Sequence, residues 1–331
     1  MVLGKQILAL TCCLSLLPVT AMAQSETQGS FSDYVAVLKQ EAADKGFSQQ
    51  TIDAVFPKIK MFKKAKATNN NQAETPITLE TYLPQVVPQS KVDLARAFYK
   101  QHYAELEKIG KRYGVQPRFI VALLGIESNL GQSPANYPVL SVTASLAYEG
   151  QRETYFRSEF FAALKIIDQG GFSFAELKSN ATGSMGKAFF LPSVYLSYAQ
   201  DGDGDGKKDI WGNSSDALAS VAYYLQQTGW KESETWGRQV WVPKQFEPSV
   251  ASLSIKKTFN EWQALGVRRF DGSDLPKRED MQISMVMPDG INGRKYLVYD
   301  NYRGLLQWNA SDYFAISVTY LSERIKYPPI I

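Results

Sequence analysis

Apolar residues at helical spacing mark the first ordered elements of the chain. Phe31, Tyr34, Val35 and Leu38, then Ile52, Val55 and Phe56, recur at three- and four-residue intervals over residues 31–62, with Ser48 placed to cap the second of two helices. The pattern lapses over residues 63–78, which are basic and then Asn-rich and read as a linker or surface loop. Ser90 followed by Asp93 reads as a capping box, and Val92, Ala95, Tyr99, His102, Leu106, Ile109 and Tyr113 then predict one long helix that Gly114 ends. Pro117 opens another helix, running to Leu130. Its positions 120–126 are almost all apolar, so it is expected at the centre of the core. Further helices are expected around 151–169 and 214–228. Beyond residue 268 short β-like runs appear, Gln282–Met287 and Lys295–Val298, separated by Asp289-Gly290 and Asn292-Gly293 turns, before Ser311–Ile325 returns to helical spacing. Helices interrupted by a few strands predict an α+β protein, predominantly α-helical.

The first 23 residues have a different character. Lys5, an apolar stretch from Ile7 to Val19 broken by Pro18, and Ala21-Met22-Ala23 form the three parts of a cleavable export signal, so the mature chain is expected to begin near Gln24. The apolar run is shorter than the ~20 residues of a spanning helix. Neither Cys12, which follows Thr11, nor Cys13 follows the small residue that lipidation requires. Those are the only two cysteines among 331 residues, and there is one histidine. An exported chain without thiols suits an extracytoplasmic compartment. The same poverty excludes a disulfide framework, a Cys/His zinc site and an iron–sulfur cluster, and leaves carboxylates, hydroxyls and aromatics to do any chemistry. The net charge of +3 is spread along the chain without a basic run, which argues against nucleic acid as a partner.

Three features carry chemical information. Glu127 follows the apolar run Ile120–Ile126 and precedes Ser128-Asn129. A carboxyl at the end of a buried helix loses hydration, which raises its pKa and lets it hold a proton as a general acid, although a solvated polar helix end reads the same way in sequence. Second, Asp201, Asp203 and Asp205 stand at loop positions 1, 3 and 5, Gly206 at 6, the Lys207 carbonyl at 7 and Asp209 at 9, the spacing of an EF-hand-type Ca²⁺ loop. Gly212 stands where that loop has its bidentate Glu, and Asp216 is the nearest substitute. Third, Tyr195, Tyr198, Tyr223, Tyr224, Trp230, Trp236, Trp241, Tyr299, Tyr302 and Trp308 crowd the second half, and aromatic faces along a cleft would stack on sugar rings. The lone His102 lies on an apolar stripe and is expected to be structural.

The order of these pieces is specific. Gly125-Ile-Glu-Ser-Asn-Leu-Gly131, Asn136-Tyr-Pro-Val-Leu140, Ala144-Ser-Leu-Ala-Tyr148, Gly183-Ser-Met-Gly186, Phe190-Leu-Pro-Ser193, the Asp201–Trp211 loop, Ala219-Ser-Val-Ala-Tyr-Tyr-Leu225 and Leu305-Leu-Gln-Trp-Asn-Ala-Ser-Asp312 resemble the lytic murein transglycosylase B family. The resemblance implies a lysozyme-like fold with added helical and β-containing parts, and cleavage of the MurNAc–GlcNAc bond of peptidoglycan. It implies that Glu127 is the single acid/base, protonating the glycosidic oxygen and then deprotonating the C6 hydroxyl that closes a 1,6-anhydro ring. It further implies substrate contacts at Ser128, Asn129, Asn180, Tyr224, Tyr302 and Trp308, a structural Ca²⁺ held by Asp201, Asp203, Asp205, Lys207, Asp209 and Asp216, no organic cofactor, peptidoglycan strands as partner, and a periplasmic location.

The resemblance also orders the chain: signal 1–23, N-terminal helical segment and linker 24–89, lysozyme-like catalytic region 90–267, and β-containing segment with closing helix 268–331. There are departures. Lys187 and Phe189 stand where the family has amides, and Asn180 replaces a hydroxyl residue. A hydrolytic muramidase, or a peptidoglycan-binding protein whose site has drifted, would share most of these features.

Overall fold

A computed structural model of the chain describes residues 29–63 and 77–327, so the export signal and most of the expected linker lie outside the described residues. Helix α1 (Phe31–Asp44) starts at a Ser30 capping box, and Ser48 caps α2 (Gln49–Val55) by accepting from the Thr51 amide, as its position predicts. A short helix α3 (Leu79–Val86) follows. The long helix expected from residue 90 is two, α4 (Gln89–Gln101) and α5 (Tyr103–Tyr113). Pro88 rather than Ser90 precedes the first, and His102 leaves helical geometry at φ −102° and ψ 18°. There its Nδ1 lies 3.0 Å from Glu105 and its ring stacks on Phe98 at 4.3 Å, which is the structural role its setting suggests. Gly114 ends α5 in the left-handed conformation.

Helix α6 (Pro117–Ser128) is the axis of the larger core. Residues 119–125 are all buried, which is why the apolar run wraps the whole helix instead of one face. Around it pack α4, α5, α10 (Ser214–Gln227) and α13 (Asp312–Lys326). Helices α7 (Val139–Tyr148), α8 (Glu153–Asp168) and α9 (Pro192–Tyr198) form a connected layer that meets α10 through α9. A two-residue ladder, β1 (Tyr137–Pro138) with β2 (Lys178–Ser179), sits beside them.

The larger sheet is antiparallel with order β4-β3-β6-β5, built from β3 (Gly237–Trp241), β4 (Arg268–Arg269), β5 (Ser284–Val286) and β6 (Lys295–Val298). Both β runs read from the sequence are strands of it. The expected division at residue 267 does not follow the sheet, because β3 pairs Gly237 with Val298 and Val240 with Lys295 across that point. A Cβ at Gly237 would lie 2.3 Å from the Leu297 carbonyl oxygen, so the strands approach this closely only over glycine. A second core of Val240, Phe246, Phe259, Trp262, Ile283, Met285 and Leu297 fills one side of the sheet, while Tyr296 and Val298 reach the main core. Helix α11 (Phe259–Ala264) belongs to this smaller lobe. The β5–β6 turn is tied back to the helical body: Asp289 accepts from the Leu79 amide at 2.9 Å, and Arg294 pairs with Glu80 through two bonds of 2.7 and 2.8 Å. Helix α12 (Asp300–Trp308) then returns the chain to the end of α6. Among the described residues no helix is long and apolar enough to cross a membrane.

Candidate active site

Glu127 occupies the last turn of α6. The helix stops one residue later because Asn129 and Leu130 take positive φ angles of 51° and 58°, after which the chain turns away through Gly131. A positive φ at a leucine is strained, and it persists only where packing dictates it. Leu130 is buried, and its amide donates to the Leu124 carbonyl at 3.1 Å.

The Glu127 carboxyl accepts one strong hydrogen bond, from the Trp308 indole Nε1 to Oε1 at 2.7 Å. Burial pushes this carboxyl up from its ordinary 4.5 to about 7, and the Trp308 bond opposes the rise. Trp308 is fixed from both sides: Tyr224 meets it edge to face at 4.7 Å, and Phe190 lies at 5.4 Å. The Tyr224 hydroxyl donates to the Gln307 carbonyl at 3.0 Å, and Tyr198 packs against the Tyr224 ring at 4.7 Å. Three helices, α6, α10 and α12, therefore bring Glu127, Tyr224 and Trp308 into one cluster with all three side chains partly exposed. An acid that is half protonated near neutrality beside accessible aromatic faces can donate a proton to a sugar oxygen and take one back.

The other expected substrate contacts have different settings. Asn129 is partly exposed beside Glu127, and its amide nitrogen reaches Gln132 at 3.2 Å. The Asn180 Oδ1 accepts from the amides of Thr182 and Ser184 at 2.9 and 3.0 Å and from the Thr182 hydroxyl at 2.8 Å, so that oxygen folds its own loop. Ser128 and Tyr302 require correction, because both are fully buried. Ser128 Oγ donates to the Lys187 carbonyl and accepts from the Gly131 amide at 2.8 Å. The Tyr302 hydroxyl donates to Asp312 at 2.6 Å, locking α12 onto the start of α13. Both are supports of the site. Their places in the sequence, next to Glu127 and near Trp308, did not tell which way their side chains turn.

The acidic loop lies between α9 and α10. Carboxylate oxygens of Asp201, Asp203 and Asp205 converge within 4.8 Å of one another. Asp201 accepts from the amides of Gly204 and Gly206 at 2.6 and 2.9 Å, and these bonds hold its carboxyl below the usual range, keeping it ionised. An all-oxygen donor set of this kind suits Ca²⁺. Asp209 and Asp216 lie outside the converging group. Asp209 accepts from the amides of Trp211 and Gly212, both at 2.9 Å, while buried Asp216 accepts from Gly202 at 2.8 Å and Asp209 at 2.6 Å. Lys207 donates its amide to Asp205 at 2.7 Å.

Lys187 was legible in the sequence only as an oddity. Its Nζ donates to the Gly212 carbonyl at 3.0 Å and the Ser214 hydroxyl at 2.9 Å, joining the end of the acidic loop to the start of α10. Phe189 takes a positive φ of 50°, which turns the chain so that the following Phe190 packs against Trp308.

The fold is shared with known proteins. SltB3 from Pseudomonas aeruginosa, solved in complex with NAG-anhNAM-pentapeptide and also with NAG-NAM-pentapeptide, is 35% identical and superposes with a TM-score of 0.85 over 90% of this chain and 80% of that one. The membrane-bound lytic murein transglycosylase B of Escherichia coli K12 is 25% identical over 293 residues, 85% of this chain and 79% of that protein. The E. coli lytic transglycosylase SLT35, solved in complex with calcium, shares the fold at 22% identity and a TM-score of 0.74, covering 88% of this chain and 92% of that one. The model of the Transglycosylase SLT domain matches residues 30–323, nearly the whole described chain, and the protein belongs to that family.

Proposed function

We propose that the protein is a lytic transglycosylase of peptidoglycan in which Glu127 serves alone as acid and base. The observation that carries this reading is the isolation of the Glu127 carboxyl: burial and the Trp308 hydrogen bond perturb it, and no second carboxylate does so among the described residues. Enzymes that activate water or form a glycosyl ester use paired acids, roughly 5–10 Å apart. A single carboxyl suffices when the nucleophile belongs to the substrate. With Oε1 held by Trp308, Oε2 carries the proton and passes it to the oxygen between MurNAc and GlcNAc. The resulting carboxylate then takes the proton of the C6 hydroxyl of the same MurNAc. That oxygen attacks C1 and closes the 1,6-anhydro ring, an intramolecular step favoured by proximity. Tyr224, Trp308 and Asn129 line the approach to Glu127 and supply faces and an amide for the sugars.

The converging Asp201, Asp203 and Asp205 would hold one Ca²⁺, with the neighbouring turns stapled by Asp209 and Asp216. The ion would fix the loop that leads into α10, and so the base of the helix carrying Tyr224. The apolar stretch and Ala21-Met22-Ala23 support export to the periplasm. Mass analysis of the products from purified sacculi tests the reaction: anhydro ends lighter by one water than reducing ends are expected, and reducing ends would establish the hydrolytic reading instead.

A further inference from the structure

We propose that Lys187 is a positioning residue that couples the acidic loop to the catalytic carboxyl; the coupling rests on the reading of Glu127 as the acid and of the loop as a calcium site. Lys187 touches the turn that follows Glu127 and the end of the acidic loop. On the side of the acid, its carbonyl accepts the hydroxyl of Ser128, the residue after Glu127, and the same hydroxyl holds the Gly131 amide. Its aliphatic stem fills the space above Gly131, where a Cβ would lie 2.6 Å from the Lys187 Cγ. The turn that ends α6 is thus clamped to Lys187 by main chain and side chain together. On the side of the loop, the Lys187 amide donates to the Ile210 carbonyl at 2.8 Å, and Nζ donates to Gly212 and Ser214.

Gly212 is the loop position at which an EF-hand places its closing carboxylate. Here the glycine offers only a carbonyl, and that carbonyl is engaged by an ammonium. The loop is closed by a strut to the active site in place of a ligand to the ion. Burial lowers the Lys187 amine below its ordinary value, and Asp209 and Glu105 partly offset this by favouring its charged form. Any shift of the loop on gaining or losing its ion is passed through Nζ and the Lys187 main chain to Ser128, and so to the direction in which Glu127 points. Misplacing a catalytic group by about 1 Å can cost on the order of a hundredfold in rate, so a partial loosening is expected to cost about tenfold.

The test compares wild type with Lys187→Met, which keeps the stem and removes the ammonium, and with Lys187→Arg, each assayed on soluble glycan strands in CaCl₂ and in EGTA, alongside melting temperatures in the same buffers. The expected result has three parts. Chelation lowers wild-type kcat; Lys187→Met has kcat lowered about tenfold with KM within about twofold and no longer responds to chelation; and Ca²⁺ still raises the melting temperature of Lys187→Met, because the three aspartates are untouched. Lys187→Arg recovers part of the rate and of the calcium response. A Lys187→Met enzyme with wild-type kcat and a wild-type response to chelation overturns the proposal. If Lys187→Met does not fold, Ser214→Ala, which removes one Nζ partner, is expected to weaken the calcium response of kcat, and an unchanged response overturns it equally. A wild-type melting temperature indifferent to Ca²⁺ would defeat the calcium reading and the coupling to it, whereas loss of activity confined to Lys187 variants with Glu127→Gln fully active would defeat the reading of the acid.

Discussion

Replacing Trp308 by Phe keeps the ring against Tyr224 and Phe190 and deletes one interaction, the 2.7 Å hydrogen bond to Glu127 Oε1. That bond favours the ionised carboxylate and opposes the burial that lifts the pKa to about 7. A hydrogen bond to a charged group contributes about 1.5–3 kcal/mol. At 1.36 kcal/mol per pKa unit, its loss raises the Glu127 pKa by about 1–2 units, to about 8–9. Glu127 must be protonated in the free enzyme to act first as an acid, so kcat/KM falls as pH rises through its pKa. The assay is the pH profile of kcat/KM on soluble glycan strands, with the alkaline limb of wild type expected near 7 and that of Trp308→Phe displaced upward by 1–2 units. An alkaline limb within about 0.3 unit of wild type would refute the claim that this indole tunes the acid.

The same carboxyl has a consequence for stability. Its folded pKa of about 7 lies above the ordinary 4.5, so its protonated form is the one that folding favours. The contribution is complete below pH 4.5 and is lost as pH rises to about 7, and a shift of about 2.5 units corresponds to about 3 kcal/mol. Glu127→Gln, which still offers Trp308 an oxygen, should therefore melt above wild type at pH 8 and converge with it toward pH 4; equal melting temperatures at pH 8 would contradict the burial of the acid. Tyr302→Phe removes the 2.6 Å bond to Asp312 inside the core and should lower stability by about 1–3 kcal/mol in urea titrations while KM holds, whereas a raised KM with unchanged stability would return Tyr302 to the substrate. Asp203→Ala should abolish the rise in melting temperature that Ca²⁺ gives wild type.

The helix that carries Glu127 was the most legible part of the chain. An apolar run wrapping every face of residues 119–125 can only be buried, and an acid at its end can only lie at the rim of that burial. The strands at 284–286 and 295–298 were legible from their alternation and turns, but β3 was not, because its pairing with β6 joins segments some sixty residues apart that share no local signal. The break at His102 was hidden by an apolar stripe that continues through it. Side-chain direction accounts for the remaining differences. Ser128 lies in the motif of the acid and Tyr302 close to that of Trp308, yet both turn into the core, while Lys187, which read as a lost amide, joins the end of the acidic loop to the start of α10. The role of Trp308 likewise needed the fold, since 181 residues separate it from the carboxyl it holds.

The central claim is that one carboxyl performs the whole reaction. The rate at which folded Glu127→Gln releases 1,6-anhydro muropeptides from purified sacculi, followed by mass analysis against wild type, tests it most directly. The account predicts a fall of at least about 10²–10⁴-fold, the usual contribution of general acid–base catalysis, with sacculus binding retained. Release of anhydro products within about tenfold of wild type would contradict it.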